Sequence, residues 1–139
     1  MTAKKSLADF IYAARAEVPE VDCETVQGWL EMGDDVLIVD VRQARDYEAG
    51  RLPGAVHAPR DHLEALADPN YLRSHPELAR AHSRRVLLYC DSGTRSLLAA
   101  RTLRDMGFLE VYNLSGGYHV WEAEDLPTHS GPPDTTSEG

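Results

Sequence analysis

The chain has 139 residues, 42% of them hydrophobic and 27% charged, with a net charge of −9. These values suit one compact globular domain and exclude a fibrous, disulfide-stapled or wholly disordered chain. The acidic balance argues against a non-specific nucleic-acid binder, which needs a basic face to displace counterions, and no apolar run is long enough to cross a bilayer.

At the N-terminus, Lys4 and Lys5 precede a pattern interrupted by Asp9, Arg15 and Glu17, so no apolar signal core follows and residues 1–19 do not read as a secretory leader. Instead Leu7, Phe10, Ile11 and Ala14 recur at helical spacing and predict an appended amphipathic helix from Ser6 to Glu17. Asp22 can cap a second helix through Val26, Trp29 and Leu30, stopped at Gly33. Cys23 falls in its first turn and is read as a packing residue. The cysteines are Cys23 and Cys90 alone, which gives a disulfide framework little to build on; a reducing compartment, the cytoplasm, is expected.

Further along, the apolar run 36–39 ends in Asp40, and the run 86–89 ends in Cys90. Residues 110–114 lead into Ser115-Gly116-Gly117, and residues 55–58 suggest a shorter strand. Continuous apolar runs bounded by turn residues suit strands covered on both faces. Between the last two long strands, Ala99, Ala100, Leu103 and Met106 share one face of a helix predicted over 96–106, with Gly107 as its stop. Trp29 and Trp121 are core by default. Residues 130–139, rich in Ser, Thr, Pro and Gly, are expected to form a disordered tail. The fold class implied is α/β: a mainly parallel central sheet over residues 20–129 with helices on both faces.

Open α/β sheets bind ligands outside the carboxyl ends of their strands. The segments expected there are Asp40-Val41-Arg42, Pro59-Arg60-Asp61-His62, Cys90 to Arg95, and Gly116 to Trp121. The cysteine segment is the most informative. Cys90 closes a strand, Gly93 can take the positive φ of a tight curl, and a helix starts near Thr94 to Ser96. Backbone N–H groups of such a curl point inward as an anion-binding nest, reinforced by the helix N-terminus, and favour a thiolate. A local nest of this kind can hold a small anion despite the distant negative field. Arg95 adds a planar fork suited to an oxyanion. A lone strand-end cysteine is otherwise a buried structural residue; the glycine, the arginine and the strand-to-helix context together argue for a nucleophile.

Among the other candidates, Arg60 should face the same mouth, either to recognise an anionic donor or as a solvated surface residue. Tyr118 and His119 could rim the pocket. The six histidines, at 57, 62, 75, 82, 119 and 129, lack zinc-ligand spacing, so no metal is expected. No Ser-His-Asp order or nucleophile elbow is present.

Cys90-x-x-Gly93-x-Arg95-Ser96 after an apolar strand resembles the active-site loop of single-domain rhodaneses. Val39-Asp40-Val41-Arg42, Gly50-Arg-Leu-Pro-Gly-Ala55 and Leu114-Ser-Gly-Gly-Tyr-His-Val-Trp121 resemble further segments of that family in the same order, so that the likeness runs over residues 20–127. The resemblance implies a sulfurtransferase that moves sulfane sulfur from a donor, thiosulfate or a persulfide, to cyanide or a thiol through a Cys90 persulfide. It implies Cys90 and Arg95 as catalytic residues, the loop residues Asp91, Ser92, Gly93, Thr94 and Ser96 as donor-binding, and Asp40 with Arg42 as a structural ion pair. No cofactor is implied. The partners would be a small anionic sulfur donor and a thiol or protein acceptor, with neither nucleic acid nor membrane. Four residues separate Cys90 from Arg95, the shorter loop of the sulfur-transferring branch rather than the longer one of its phosphatase relatives. The rival readings are an arsenate reductase or phosphatase using the same loop, and a non-enzymatic sulfur carrier or docking module. Two residues depart from the family pattern: Asp91 stands where Arg or Lys is common and should repel a dianionic donor, and Arg51 replaces a histidine.

Overall fold

The computed structural model describes residues 3–133. Helix α1 (Leu7–Glu17) starts at a capping box, with the Ser6 side chain accepting from the Asp9 N–H and the Asp9 carboxylate accepting from the Ser6 N–H. Strand β1 (Glu20–Val21) leads into α2 (Cys23–Met32), which is capped by Asp22 on the Thr25 N–H and ended by Gly33 in the left-handed region. There follow β2 (Val36–Asp40), α3 (Ala44–Ala49), β3 (Val56–His57) and α4 (Leu63–Ala67). The chain then runs through β4 (Arg85–Tyr89), α5 (Thr94–Asp105), β5 (Glu110–Leu114) and α6 (Gly117–Ala123).

The strands form one sheet in the order β1-β5-β4-β2-β3, and every pairing is parallel. From β2 the chain goes outward to β3, then returns to lay β4 on the other side of β2 and β5 beyond it. The order therefore reverses between β2 and β4, which puts the carboxyl ends at Asp40 and Cys90 beside a topological switch point.

Side chains of the inner strands alternate between two cores. Leu37, Val39, Val86, Leu88 and Val111 pack with Ala14, Leu97, Ala100 and Leu103 on one face. Ile38, Leu87, Tyr89 and Leu114 pack with Cys23, Val26, Tyr47 and Trp121 on the other. Both faces are covered, as the unbroken apolar runs require. Helix α1 belongs to the first core: Ala14 and Val18 are buried, and Glu17 bonds Arg101 of α5 at 2.7 Å. The appended helix thus docks on the domain.

The expected long strands and the first, second and fifth helices are present. β1, α3, α4 and α6 were not legible. β1 has two residues, and the three helices have five to seven, too few to establish a period. Of the tail expected over residues 130–139, residues 134–139 lie outside the described residues. The first residues of that segment are held: Arg51 donates to the carbonyls of Gly131 and Pro132, and the Gly131 N–H donates to Glu48 O. This gives Arg51, 7% exposed, a structural task.

Candidate active site

Cys90 follows β4 directly, and its side chain turns back under the loop that joins β4 to α5. The N–H groups of Gly93 and Ser96 donate to Sγ at 3.2 and 3.3 Å. Gly93 has φ +96°, and a side chain there would meet Leu114 O and Gly116 N at 3.2 and 3.3 Å. Only glycine gives both the curl and the close approach.

The loop carbonyls face the other way. At the start of α6, the Tyr118 N–H donates to Cys90 O at 2.8 Å and the His119 N–H to Asp91 O at 3.0 Å. A Cβ on Gly117 would lie 2.5 Å from Cys90 O and 2.6 Å from Asp91 O. The Gly116-Gly117 pair therefore lets a short helix dock against the loop and fix its polarity: carbonyls out, N–H groups in.

Asn113 of β5 completes the loop's support. It is fully buried; its Nδ2 donates to Gly93 O and to Glu20 Oε2, each at 2.9 Å, while its Oδ1 accepts from Ser96 Oγ at 2.6 Å. Ser96 Oγ is also 3.3 Å from Cys90 Sγ. A hydroxyl has one proton, and the shorter contact assigns it to Asn113, which leaves the backbone N–H groups as the donors to sulfur.

Beneath the loop, Arg42 and Asp40 form a buried pair, with Nη2 to Oδ2 at 2.7 Å and side-chain exposures of 3% and 0%. Tyr89 donates to the same carboxylate at 2.6 Å, Arg42 also donates to Gly50 O, and its guanidinium lies 4.3 Å from the Tyr118 ring centroid. Burial works against the Arg42 charge, but the hydrogen bonds and charge of Asp40 outweigh it and raise its pKa. Burial, then the Asp40 charge, hold the Tyr89 phenol protonated.

Arg42 also reaches the mouth. Its Nη1 lies 3.4 Å from Asp91 Oδ1, with the Asp91 side chain 42% exposed. The negative charge that the sequence sets against an anionic donor is thus partly offset from below.

A cavity of about 250 Å³ opens over Sγ, lined by Cys90, Asp91, Ser92, Thr94, Arg95, Leu98 and Leu7 of α1. Arg95 is exposed there and has no carboxylate partner among the described residues. Loop anchoring belongs to Asn113 and α6, leaving the Arg95 fork free. Six of the expected loop residues, Cys90, Asp91, Ser92, Thr94, Arg95 and Ser96, are brought together with Gly93 around the sulfur. Arg60 is not brought there: its guanidinium bonds Glu64 at 3.0 Å and Thr102 Oγ1 at 3.3 Å, two turns down α5 from the loop. Tyr118 and His119 meet the loop through their backbone N–H groups and are not among the residues lining this cavity.

Cys23 is buried, and that burial, with the charges of Glu124 and Asp22, pushes its thiol up to about 11. No cluster of three or more His, Cys, Asp or Glu among the described residues could hold a metal ion, and none of their helices is long and apolar enough to cross a membrane. A larger cavity, about 530 Å³, lies beside Tyr47, Arg51 and His57. Its lining contains no cysteine; of its ionic groups, Arg51 donates to carbonyls and His57 bonds Arg42 O.

Sequence reasoning missed Asn113, Leu7 and the reach of Arg42 to Asp91. Asn113 carried a signal, a polar residue inside a strand whose neighbours face two apolar cores. Leu7 carried none, because its part in the cavity depends on how α1 docks.

The rhodanese-like domain family model matches residues 22–124. The chain is 34% identical over 110 residues to a sulfurtransferase of Allochromatium vinosum, spanning 79% of this chain and 94% of that one. It is 33% identical over 90 residues to the thiosulfate sulfurtransferase GlpE of Pseudoalteromonas translucida, spanning 65% of this chain and 76% of the relative. It is 32% identical over 106 residues, or 76% of its length, to the YrkF protein of Bacillus subtilis, which is named as a sulfur carrier and of whose length it spans about half, 52%. Among solved structures, a Rhodopseudomonas palustris protein of unknown function, RPA3614, described as a possible tyrosine phosphatase, superposes with a TM-score of 0.84 at 28% identity, covering 93% of this chain and 98% of that one.

Proposed function

The chain belongs to the rhodanese-like domain family, and from that premise we propose that it is a sulfurtransferase working through a persulfide on Cys90. The observation that carries the reading is the pair of N–H groups, Gly93 and Ser96, aimed at Sγ beneath a cavity rimmed by Arg95. The Cys90 thiolate attacks the sulfane sulfur of a donor; the new Sγ–S bond forms as the donor's S–S bond breaks, and the leaving group departs with that electron pair. For thiosulfate, the leaving group is sulfite. The loop N–H groups hold the persulfide anion, and Arg95 holds the donor's oxyanion. A thiolate or cyanide then attacks the outer sulfur and restores Cys90 as thiolate. The residues account for both steps without an organic cofactor or a metal. The free cysteines, Cys23 and Cys90, suit a reducing, cytoplasmic setting in which thiol acceptors are available.

A phosphatase reading draws on the printed description of the Rhodopseudomonas protein. Against it stands the loop, with four residues between Cys90 and Arg95 and Asp91 at the rim where a phosphate dianion would enter. Parallel assays discriminate. Thiocyanate should form from thiosulfate or a thiosulfonate plus cyanide, with no turnover of p-nitrophenyl phosphate. Phosphate release without thiocyanate would reverse the assignment.

A further inference from the structure

We propose that Leu7 of α1 and Leu98 of α5 form an apolar shelf beside Cys90 that selects sulfur donors carrying an organic group, such as aryl or alkyl thiosulfonates and organic persulfides, over inorganic thiosulfate. The inference rests on the sulfur-transfer reading above and names the class of donor for that site.

The two helices run side by side in the same direction. Their N-terminal ends meet at the cavity, where Leu7 lies with Thr94, Arg95 and Leu98; toward their C-terminal ends Glu17 bonds Arg101 at 2.7 Å. Leu7 is held in place, because the Ser6–Asp9 capping box fixes the helix start and Ala14 and Val18 are buried against the domain. It is nevertheless 62% exposed, so most of its apolar surface is available for a ligand to cover.

The cavity has two chemically different sides. Sγ, the loop N–H groups and Arg95 make a polar side that fits a sulfane sulfur and its sulfonyl oxygens. Leu7 and Leu98 make an apolar side with which a five-atom inorganic anion has nothing to exchange. About 250 Å³ corresponds to roughly eight waters, room for an organic substituent as well as the reacting sulfur. Charge points the same way. Asp91 stands half-exposed at the rim, and a donor with one negative charge is repelled less than the thiosulfate dianion.

The step balances. Cys90 thiolate and R–SO₂–S⁻ give Cys90–S–S⁻ and the sulfinate R–SO₂⁻: one S–S bond forms, one breaks, and the sulfinate leaves with the electron pair. An organic persulfide reacts in the same way and releases its thiolate.

The test measures kcat/KM for thiosulfate, methanethiosulfonate and benzenethiosulfonate with cyanide as acceptor, in the 139-residue protein and in Leu7→Ser. Comparing donor ratios between the two proteins cancels the donors' intrinsic reactivities. The ratio of benzenethiosulfonate to thiosulfate should fall by about fivefold or more in Leu7→Ser, which removes the apolar surface without adding charge, and the wild type should prefer the benzene to the methane compound. Because Leu7 is largely exposed, thermal unfolding should show an intact fold; a variant that does not fold is replaced by Leu7→Ala, with the same direction expected. An unchanged ratio in a folded variant, or a wild type that favours thiosulfate over both thiosulfonates, overturns the shelf while leaving the sulfurtransferase reading intact. Absence of thiocyanate from every donor overturns the sulfurtransferase reading and the shelf with it.

Discussion

Arg42→Met should destabilise the fold by about 3–5 kcal/mol, the range for removing one partner of a buried ion pair. Asp40 is wholly buried and takes Nε and Nη2 of Arg42, the Arg42 backbone N–H and the Tyr89 hydroxyl. Methionine keeps the backbone donor and much of the volume but removes the guanidinium, leaving a buried carboxylate without its counter-charge and Gly50 O without its donor. The Asp40→Asn/Arg42→Met double variant should recover part of the loss, since no isolated charge then remains. Urea unfolding of the two single variants and the double variant measures this. A cost below about 1 kcal/mol for Arg42→Met, a value ordinary for surface changes, would mean that the pair is not the support described.

Arg95→Ala should show the opposite split. Arg95 is exposed at the cavity and has no carboxylate partner among the described residues, so its removal should leave stability within about 0.5 kcal/mol. Sulfur loading should nevertheless slow by at least about tenfold, or ~1.5 kcal/mol of transition-state stabilisation, through loss of the charged fork on the donor. Arg95→Lys should restore a fraction of the rate, because an ammonium supplies charge without bidentate geometry. Stopped-flow loading alongside denaturant unfolding separates the two effects. A folded Arg95→Ala that loads at the wild-type rate would remove Arg95 from the mechanism.

The two arginines illustrate what the sequence could and could not convey. Arg95 was legible as a neighbour of Cys90 at the cavity because its spacing from Cys90 is local, and six consecutive residues define a loop whose geometry follows from strand, glycine and helix. Arg42 was legible only as a strand-end ion pair. Its link to Asp91 spans 49 positions and depends on β2 lying beside β4. Arg60 shows the same limit: a place after a strand's carboxyl end fixes the backbone, but the long side chain follows its nearest partners, Glu64 and Thr102. The long strands were readable because two-sided burial writes itself as unbroken apolar runs. The Gly116-Gly117 segment was read as a strand-end loop, and its use as the foot of α6 appears only when the carbonyls of Cys90 and Asp91 are seen to need donors.

The most direct test of the central claim is peptide mass spectrometry of the wild-type protein and Cys90→Ser after exposure to thiosulfate or a thiosulfonate at pH 8. Cys23 offers an internal control, since a thiol pushed up to about 11 is ionised to only about one part in a thousand at that pH. The account predicts one added sulfur on the Cys90 peptide, lost on treatment with cyanide, and none in Cys90→Ser. Added sulfur on Cys23 alone, with Cys90 unmodified under every donor, would contradict it.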